Sequence, residues 1–196
     1  MQTIYLVRHG DYSNPENILI GRLPVSLNDD GVKQARKLNS FFQDKHIAKI
    51  YSSAVVRCKQ TAEIIANDKI PIFYDKRLSE TLSAYQGMQY ENKPKWEDFF
   101  LHTGELGGEG YSDIQNRMIS FFNDIVLNTT DNLIICSHRD PLWFLYTWIV
   151  KEPLIRRLHK LSGKVDPDYL ENGSIRPIKI ENGKILPLDI IHQKAL

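Results

Sequence analysis

Arginine and histidine recur in this sequence where the chain is about to leave a strand. Residues 3–7 form a short, apolar, β-rich run, and Arg8-His9-Gly10 follows it directly. Residues 47–51 form a second such run; Ser52-Ser53 come next, and Arg57 falls in the first turn of the expected helix. The continuous apolar run 133–136 ends in Ser137-His138-Arg139, again just before an expected helix. In a parallel sheet these carboxyl ends share one edge, where open α/β sheets bind ligands. A helix N-terminus already carries a charge of about +0.5. Arg57 at one N-terminus, and His138 and Arg139 at another, are unfavourable unless an anion sits among them. Arginine's planar fork suits bidentate contact with phosphate. Residue types and spacing therefore predict a phosphate or carboxylate pocket made by Arg8, His9, Arg57 and His138.

Two imidazoles in such a pocket have two different uses. One can take a phosphoryl group onto a ring nitrogen. That requires a neutral ring, which Arg8 and Arg57 favour by lowering its pKa. The other can donate a hydrogen bond to the phosphoryl oxygens as charge builds. A phosphoester leaving group also needs a proton. Glu80, a few residues beyond the third expected strand, can give that proton and then act as base for the attacking water.

The elements that must position these groups are legible in outline. Helical spacing appears over 29–44, 54–67 and 111–128, and strands are expected at 3–7, 47–51, 70–74 and 133–136. Asp140-Pro141 reads as an N-cap and first helical residue of a helix running to about Val150. Runs 175–180 and 185–188 flank Asn182-Gly183, a hairpin signal. Residues 11–28 read as a long loop, and 79–110 as an irregular insertion with a helix near 96–101. Strands alternating with helices predict an α/β fold: a three-layer sandwich whose mostly parallel central sheet is flanked by helices, with an antiparallel edge from the final hairpin.

Composition sets the broader frame. The 196 residues predict a single domain with a core large enough to fold without disulfide or metal. At 42% hydrophobic and 25% charged residues, the chain is not disordered, collagen-like or coiled coil. Lys plus Arg is 25 against 24 for Asp plus Glu, which argues against nucleic acid as a partner. Two cysteines, Cys58 and Cys136, fit core packing in a reducing compartment. Arg8 interrupts the first apolar run too early for a signal peptide, and the stretch 142–150 is too short to span a bilayer. These readings place the protein in the cytoplasm, away from membranes.

The ordered set of residues resembles the histidine phosphatase superfamily, with its phosphoglycerate mutase-like fold. The resemblance runs through Leu6-Val7-Arg8-His9-Gly10, Gly21-Arg22-Leu23-Pro24, Gly31, Gln34-Ala35 and Ser52-Ser53. It continues through Arg57, Gln60-Thr61-Ala62, Leu78-Ser79-Glu80, Gly108-Glu109, Arg117, Ser137-His138 and Asn172-Gly173-Ser174. It implies that His9 is the phosphorylated nucleophile, that Arg8, Arg57 and His138 complete the phosphate pocket, and that Glu80 is the proton donor. It implies no metal and no cofactor, and a small phosphorylated substrate or a phosphoprotein. The chain is shorter than cofactor-dependent mutases usually are, which points to the phosphatase branch.

Several positions depart from the family pattern or carry two readings. Arg139 stands where many members have glycine; it either recruits a second anionic group or faces solvent. The residues after Glu80 differ from the usual motif. The family's loop asparagine matches Asn14 or Asn17, and Arg22 either contacts substrate or braces its loop. Asn14, Arg22 and Arg139 are thus the candidate substrate contacts. Arg156, Arg157, His159, Lys160 and Lys164 read as a solvated basic face. Trp143, Phe144, Tyr146 and Trp148 read as core with some rim exposure, which leaves a dimer contact open. A phosphomutase of the same fold and a phospho-ligand binding protein that has lost turnover are the competing functions. A metal hydrolase ranks last, because Arg8 and Arg57 repel a cation.

Overall fold

The computed structural model describes residues 1–94, 104–153 and 166–196, with the side chain of Leu127 left aside. The helix expected near 96–101 and the basic stretch at 156–164 lie outside the described residues. The chain runs β1 (Gln2–Arg8), α1 (Asp29–Phe42), β2 (Ile47–Ser52), α2 (Val56–Ala66) and β3 (Ile72–Tyr74). It continues through α3 (Tyr111–Asn128), β4 (Asn132–Ser137), α4 (Arg139–Ile149), β5 (Ile175–Glu181) and β6 (Lys184–Pro187).

The six strands form one sheet in the order β3-β2-β4-β1-β5-β6. β3, β2, β4 and β1 are parallel, and β5 pairs antiparallel with β1 on one side and β6 on the other. The hairpin turns at Asn182 and Gly183, both with positive φ (50° and 72°), the mirror-image turn that matches strand twist. Alternate residues explain why β1 and β4 are apolar without interruption. Ile4, Leu6, Leu133 and Ile135 face Met118, Phe121, Leu142 and Leu145 of α3 and α4. Tyr5, Val7, Ile134 and Cys136 face Leu38, Phe42, Ala62 and Ile65 of α1 and α2. Both faces are covered, as the continuous runs predict.

Register brings the chemistry-bearing strand ends level. Arg8 is opposite Ser137 across β1 and β4, and Ser52 is opposite Cys136 across β2 and β4. His9, Ser53 and His138 therefore leave the sheet side by side. The helices that follow β2 and β4 begin without side-chain caps. α2 has Val55 at its N-cap with no side-chain cap and no acidic residue in its first turn. α4 is capped by His138, not by Asp140 as expected from sequence, so Arg139, Asp140 and Pro141 make up its first turn. The helix starts two residues earlier, because β4 runs through Ser137 and only His138 separates it from Arg139. Pro141 remains tolerable there, since the first four helical N–H groups have no intrahelical partner.

One close approach anchors the loop that carries His9. A Cβ on Gly31, in the first turn of α1, would lie 1.9 Å from the Asp11 carbonyl oxygen. Gly31→Ala gains about 1 kcal/mol of helix propensity. Forced contact with backbone costs about 3 kcal/mol, the upper end for overpacking. We expect a net loss of about 2 kcal/mol, read as a lower urea midpoint with unchanged slope; an unchanged or raised midpoint contradicts this close approach.

Candidate active site

The site is assembled from the loop ends on this edge. The His9 N–H donates to the Ser137 carbonyl, and the Gly173 N–H donates to the carbonyls of Arg8 and His9. The Gly10 N–H donates to Thr61 Oγ1, whose hydroxyl in turn donates to the Arg57 carbonyl one helical turn earlier in α2. Gln34 accepts from the Asp11 N–H and donates to the Asp11 carboxylate. Gln60 accepts from the Leu27 N–H. Thr61, Gln34, Gln60 and Gly173 hold the loops without lining the cavity.

His9 Nδ1 lies 2.7 Å from the Gly10 carbonyl oxygen. A carbonyl only accepts, so Nδ1 carries the proton and Nε2 of the neutral ring keeps its lone pair. Arg57 Nε donates to that Nε2 at 3.0 Å. Arg57 Nη2 donates to the Gly21 carbonyl at 2.8 Å and to His138 Nδ1 at 3.0 Å. His138 Nε2 then donates to Ser53 Oγ at 2.9 Å. The two imidazole rings are 5.1 Å apart, and the Tyr12 ring stands 5.5 Å from that of His9. Glu80 Oε2 is 3.7 Å from both Arg57 Nη2 and His138 Nδ1. Two strand ends, a helix start and the Glu80 loop thus meet, as the strand-end pattern predicts.

Burial sets the protonation states more than charge does. His9 is held well below the usual histidine range first by burial, then by Arg57 and Arg8. The same holds for His138, where burial leads and Arg57 follows. Sequence reasoning could name the arginines but not the larger cause. Burial, then Arg139, pushes Arg8 down to about 10, so it stays charged at neutral pH. Burial and then the nearby Asp140 raise Glu80, while Arg57, the Thr81 N–H and Arg139 pull it back. Among the described residues, Arg8 Nε and Arg57 Nη1 are buried without a hydrogen-bond acceptor. A charged donor left unpaired costs more than the roughly 1–3 kcal/mol of a neutral one. An oxyanion between the two guanidiniums satisfies both with charge-assisted bonds.

The cavity above this cluster has a volume of about 210 Å³. Arg8, His9, Arg57 and Glu80 line it, with Tyr12, Asn14, Tyr90, Lys93 and Arg139 among the surrounding side chains. His138 is fully buried and reaches the site through Arg57 rather than by lining the cavity. Asn14 lines the cavity while its side-chain amide closes a ring with the backbone of Ile18. Arg139 also lines it, paired with Asp140 at 3.1 Å and stacked over Tyr169 at 5.1 Å. Arg22 is different: it is not among the lining residues, and its guanidinium is committed to the Glu80 carbonyl and Glu109. The bracing reading of Arg22 is the one this geometry matches. Tyr12, Lys93 and Thr81, whose buried hydroxyl has no partner among the described residues, line the cavity without any sequence signal having marked them. Among the described residues, no group of three His, Cys, Asp or Glu is placed to hold a metal ion, and no helix is long and apolar enough to cross a membrane.

Comparison with known proteins places this site in a family. The profile of the histidine phosphatase superfamily (branch 1) matches residues 4–183. Phosphoglycerate mutase-like protein 4 of Arabidopsis thaliana is 37% identical over 173 residues, covering 81% of this chain and 74% of that one. A broad-specificity phosphatase of Saccharomyces cerevisiae is 27% identical over 165 residues, covering 76% and 70%. The solved structure of Bacillus stearothermophilus YhfR superposes with a TM-score of 0.79 at 25% identity, covering 94% of each chain. The chain belongs to the histidine phosphatase superfamily and is an enzyme of that class. The six-stranded sheet flanked by helices is its phosphoglycerate mutase-like fold.

Two neutral buried histidines make stability depend on pH with a definite sign. An unfolded histidine takes up a proton near pH 6.5, whereas His9 and His138 resist it well below that. As pH falls below about 6.5, the unfolded chain binds protons that the native pocket refuses, so stability drops. Each ring removes up to about 1.4 kcal/mol per pH unit in that window. The raised Glu80 acts in the opposite sense, because the native state keeps its proton longer. Urea titrations of wild type and His9→Asn between pH 7 and 5 isolate His9. The expected difference in slope approaches 1.4 kcal/mol per pH unit, and parallel slopes contradict a neutral buried His9.

Proposed function

We propose that this enzyme hydrolyses phosphomonoesters without a metal, through a phosphohistidine on His9. The observation that carries the reading is the His9 tautomer: the Gly10 carbonyl holds the proton on Nδ1, leaving the Nε2 lone pair against Arg57. In the first step Nε2 gives up its hydrogen bond from Arg57 Nε and attacks phosphorus, and the ester P–O bond breaks. Arg8 Nε and Arg57 Nη1 receive the phosphoryl oxygens. His138 accepts from Arg57 Nη2 through Nδ1 and so holds that guanidinium in place beside the pocket. Glu80 gives its proton to the departing oxygen, forming the alcohol.

In the second step the Glu80 carboxylate takes a proton from water, and the water oxygen attacks phosphorus. The P–N bond breaks, inorganic phosphate leaves and His9 returns to its neutral form. An incoming phosphate dianion beside Glu80 raises the carboxyl further, which helps it arrive protonated. The substrate class is a small phosphorylated molecule or a phosphorylated side chain. The phosphatase name of the Saccharomyces cerevisiae relative supports hydrolysis, while the Arabidopsis thaliana relative carries a mutase-like name. Two free, buried cysteines agree with a reducing, cytoplasmic setting.

Hydrolysis of p-nitrophenyl phosphate is expected to vanish in His9→Ala and to be unaffected by EDTA. Brief mixing with substrate followed by alkaline quench is expected to leave phosphate on His9. Activity surviving His9→Ala rules the reading out. Faster transfer to an added alcohol than to water redefines the enzyme as a mutase. A separate measurement concerns the acid. kcat/KM is expected to fall as pH rises through the titration of the Glu80 carboxyl, which burial raises, and in Glu80→Gln this basic limb disappears, with activity lower by about 10²–10⁴-fold toward substrates whose leaving group needs a proton.

A further inference from the structure

Glu80 is useful as a proton donor only if its carboxyl is held over the pocket, yet it belongs to no helix or strand. It follows a short 3-10 turn, Lys76–Leu78, and precedes a stretch of turns and loop. Three charged side chains, one from the loop after β1 and two from α3 and the residue before its cap, converge on the main chain at and around it. Arg22, from the loop after β1, donates through Nε to the Glu80 carbonyl at 2.6 Å. Arg117, from α3, reaches the same carbonyl through Nη2 at 3.4 Å and donates through Nη1 to the Arg77 carbonyl. Glu109, just ahead of α3, lies between the two guanidiniums. Its Oε2 accepts from Arg22 Nη2 at 2.8 Å and from Arg117 Nη2 at 3.1 Å, and its Oε1 accepts from Arg117 Nε at 2.8 Å.

Glu109 also grips the loop itself. Its Oε2 accepts from the Leu82 N–H at 2.8 Å, and its own N–H donates to the Leu82 carbonyl at 2.7 Å. The main chain around the acid is thus held at residues 77, 80 and 82 by one ionic cluster. None of the three side chains is among those lining the cavity. All three are largely shielded, with side-chain exposures of 31% for Arg22, 18% for Glu109 and 14% for Arg117. Two arginines facing one carbonyl repel each other unless a carboxylate separates them, and Glu109 is that carboxylate. The two arginines and the Leu82 N–H hold the Glu109 carboxyl below the usual range against the cost of burial.

We propose that Arg22, Glu109 and Arg117 form a positioning clamp for Glu80, with Glu109 as its centre, so that the clamp governs proton delivery to the leaving group and not phosphoryl binding. The proposal rests on Glu80 being the proton donor. Glu109→Gln keeps the shape but presents an amide N–H to arginine N–H groups, so at least one contact is lost and the loop relaxes. A displacement of about 1 Å in a reacting group can cost about 10²-fold in rate.

The test compares phenyl phosphate, whose leaving group needs a proton, with 2,4-dinitrophenyl phosphate, whose leaving group departs unaided. kcat/KM is the right quantity because it excludes the common dephosphorylation step. In Glu109→Gln, phenyl phosphate is expected to lose about 10²-fold, with 2,4-dinitrophenyl phosphate within about threefold of wild type. Arg22→Lys keeps the cation but loses the Nε donor. It is expected to show the same split, and it serves if thermal unfolding shows that Glu109→Gln is not folded. Equal losses on both substrates, or no loss on either, overturn the clamp. Glu80→Gln is run alongside. If it shows no dependence on leaving group, Glu80 is not the acid, and the clamp falls with it; if it does and the clamp variants do not, only the clamp falls.

Discussion

The structure depends on keeping an uncharged imidazole between two guanidiniums. Arg57 donates to Nε2 of His9, and the Gly10 carbonyl takes the proton on the other nitrogen. Protonating His9 would place a third cation in a buried site that already holds Arg8 and Arg57. Burial and those two charges both oppose it. The same guanidinium reaches His138, so one arginine adds to the effect of burial on both rings. At the uncapped start of α2, Arg57 donates to His9 through Nε and to Gly21 and His138 through Nη2, and its buried Nη1 has no acceptor among the described residues.

The rest of the fold serves that cluster by fixing loops whose ends would otherwise drift. Parallel pairing of β1, β4 and β2 brings the three chain ends level. Thr61, Gln34 and Gln60 then secure the backbone on both sides of His9. Gly31 belongs with them, since it lets the Asp11 carbonyl press against α1. The opposite wall is held differently. There the Glu80 loop has no sheet neighbour, and ionic contacts from Arg22, Glu109 and Arg117 take the place of ladder hydrogen bonds.

Arg22 illustrates how a side chain's partner decides its meaning. By type and loop position it suits substrate binding, yet both its donating ends are occupied by Glu80 and Glu109. Asp140 is a second example. Asp-Pro is a strong helix-start signal, but β4 extends through Ser137 and leaves His138 as the cap. Asp140 is then free to stand beside Arg139 and to raise Glu80. Local propensity was outweighed in each case by a contact more than twenty residues away or by strand pairing.

By itself the sequence determined the α/β layering, because apolar runs of strand length alternate with 3.6-residue periodicity over α1, α2 and α3. It also determined the cationic cluster, because Arg8-His9, Arg57 and His138-Arg139 follow strands or open helices, and parallel strands must end on one edge. Only the tertiary structure decided the tautomer of His9, the raised carboxyl of Glu80 and the bracing of Arg22. Those depend on burial depth and on single hydrogen bonds of about 3 Å between segments far apart in the chain. Neither quantity leaves a periodic or compositional trace for a reader of one sequence.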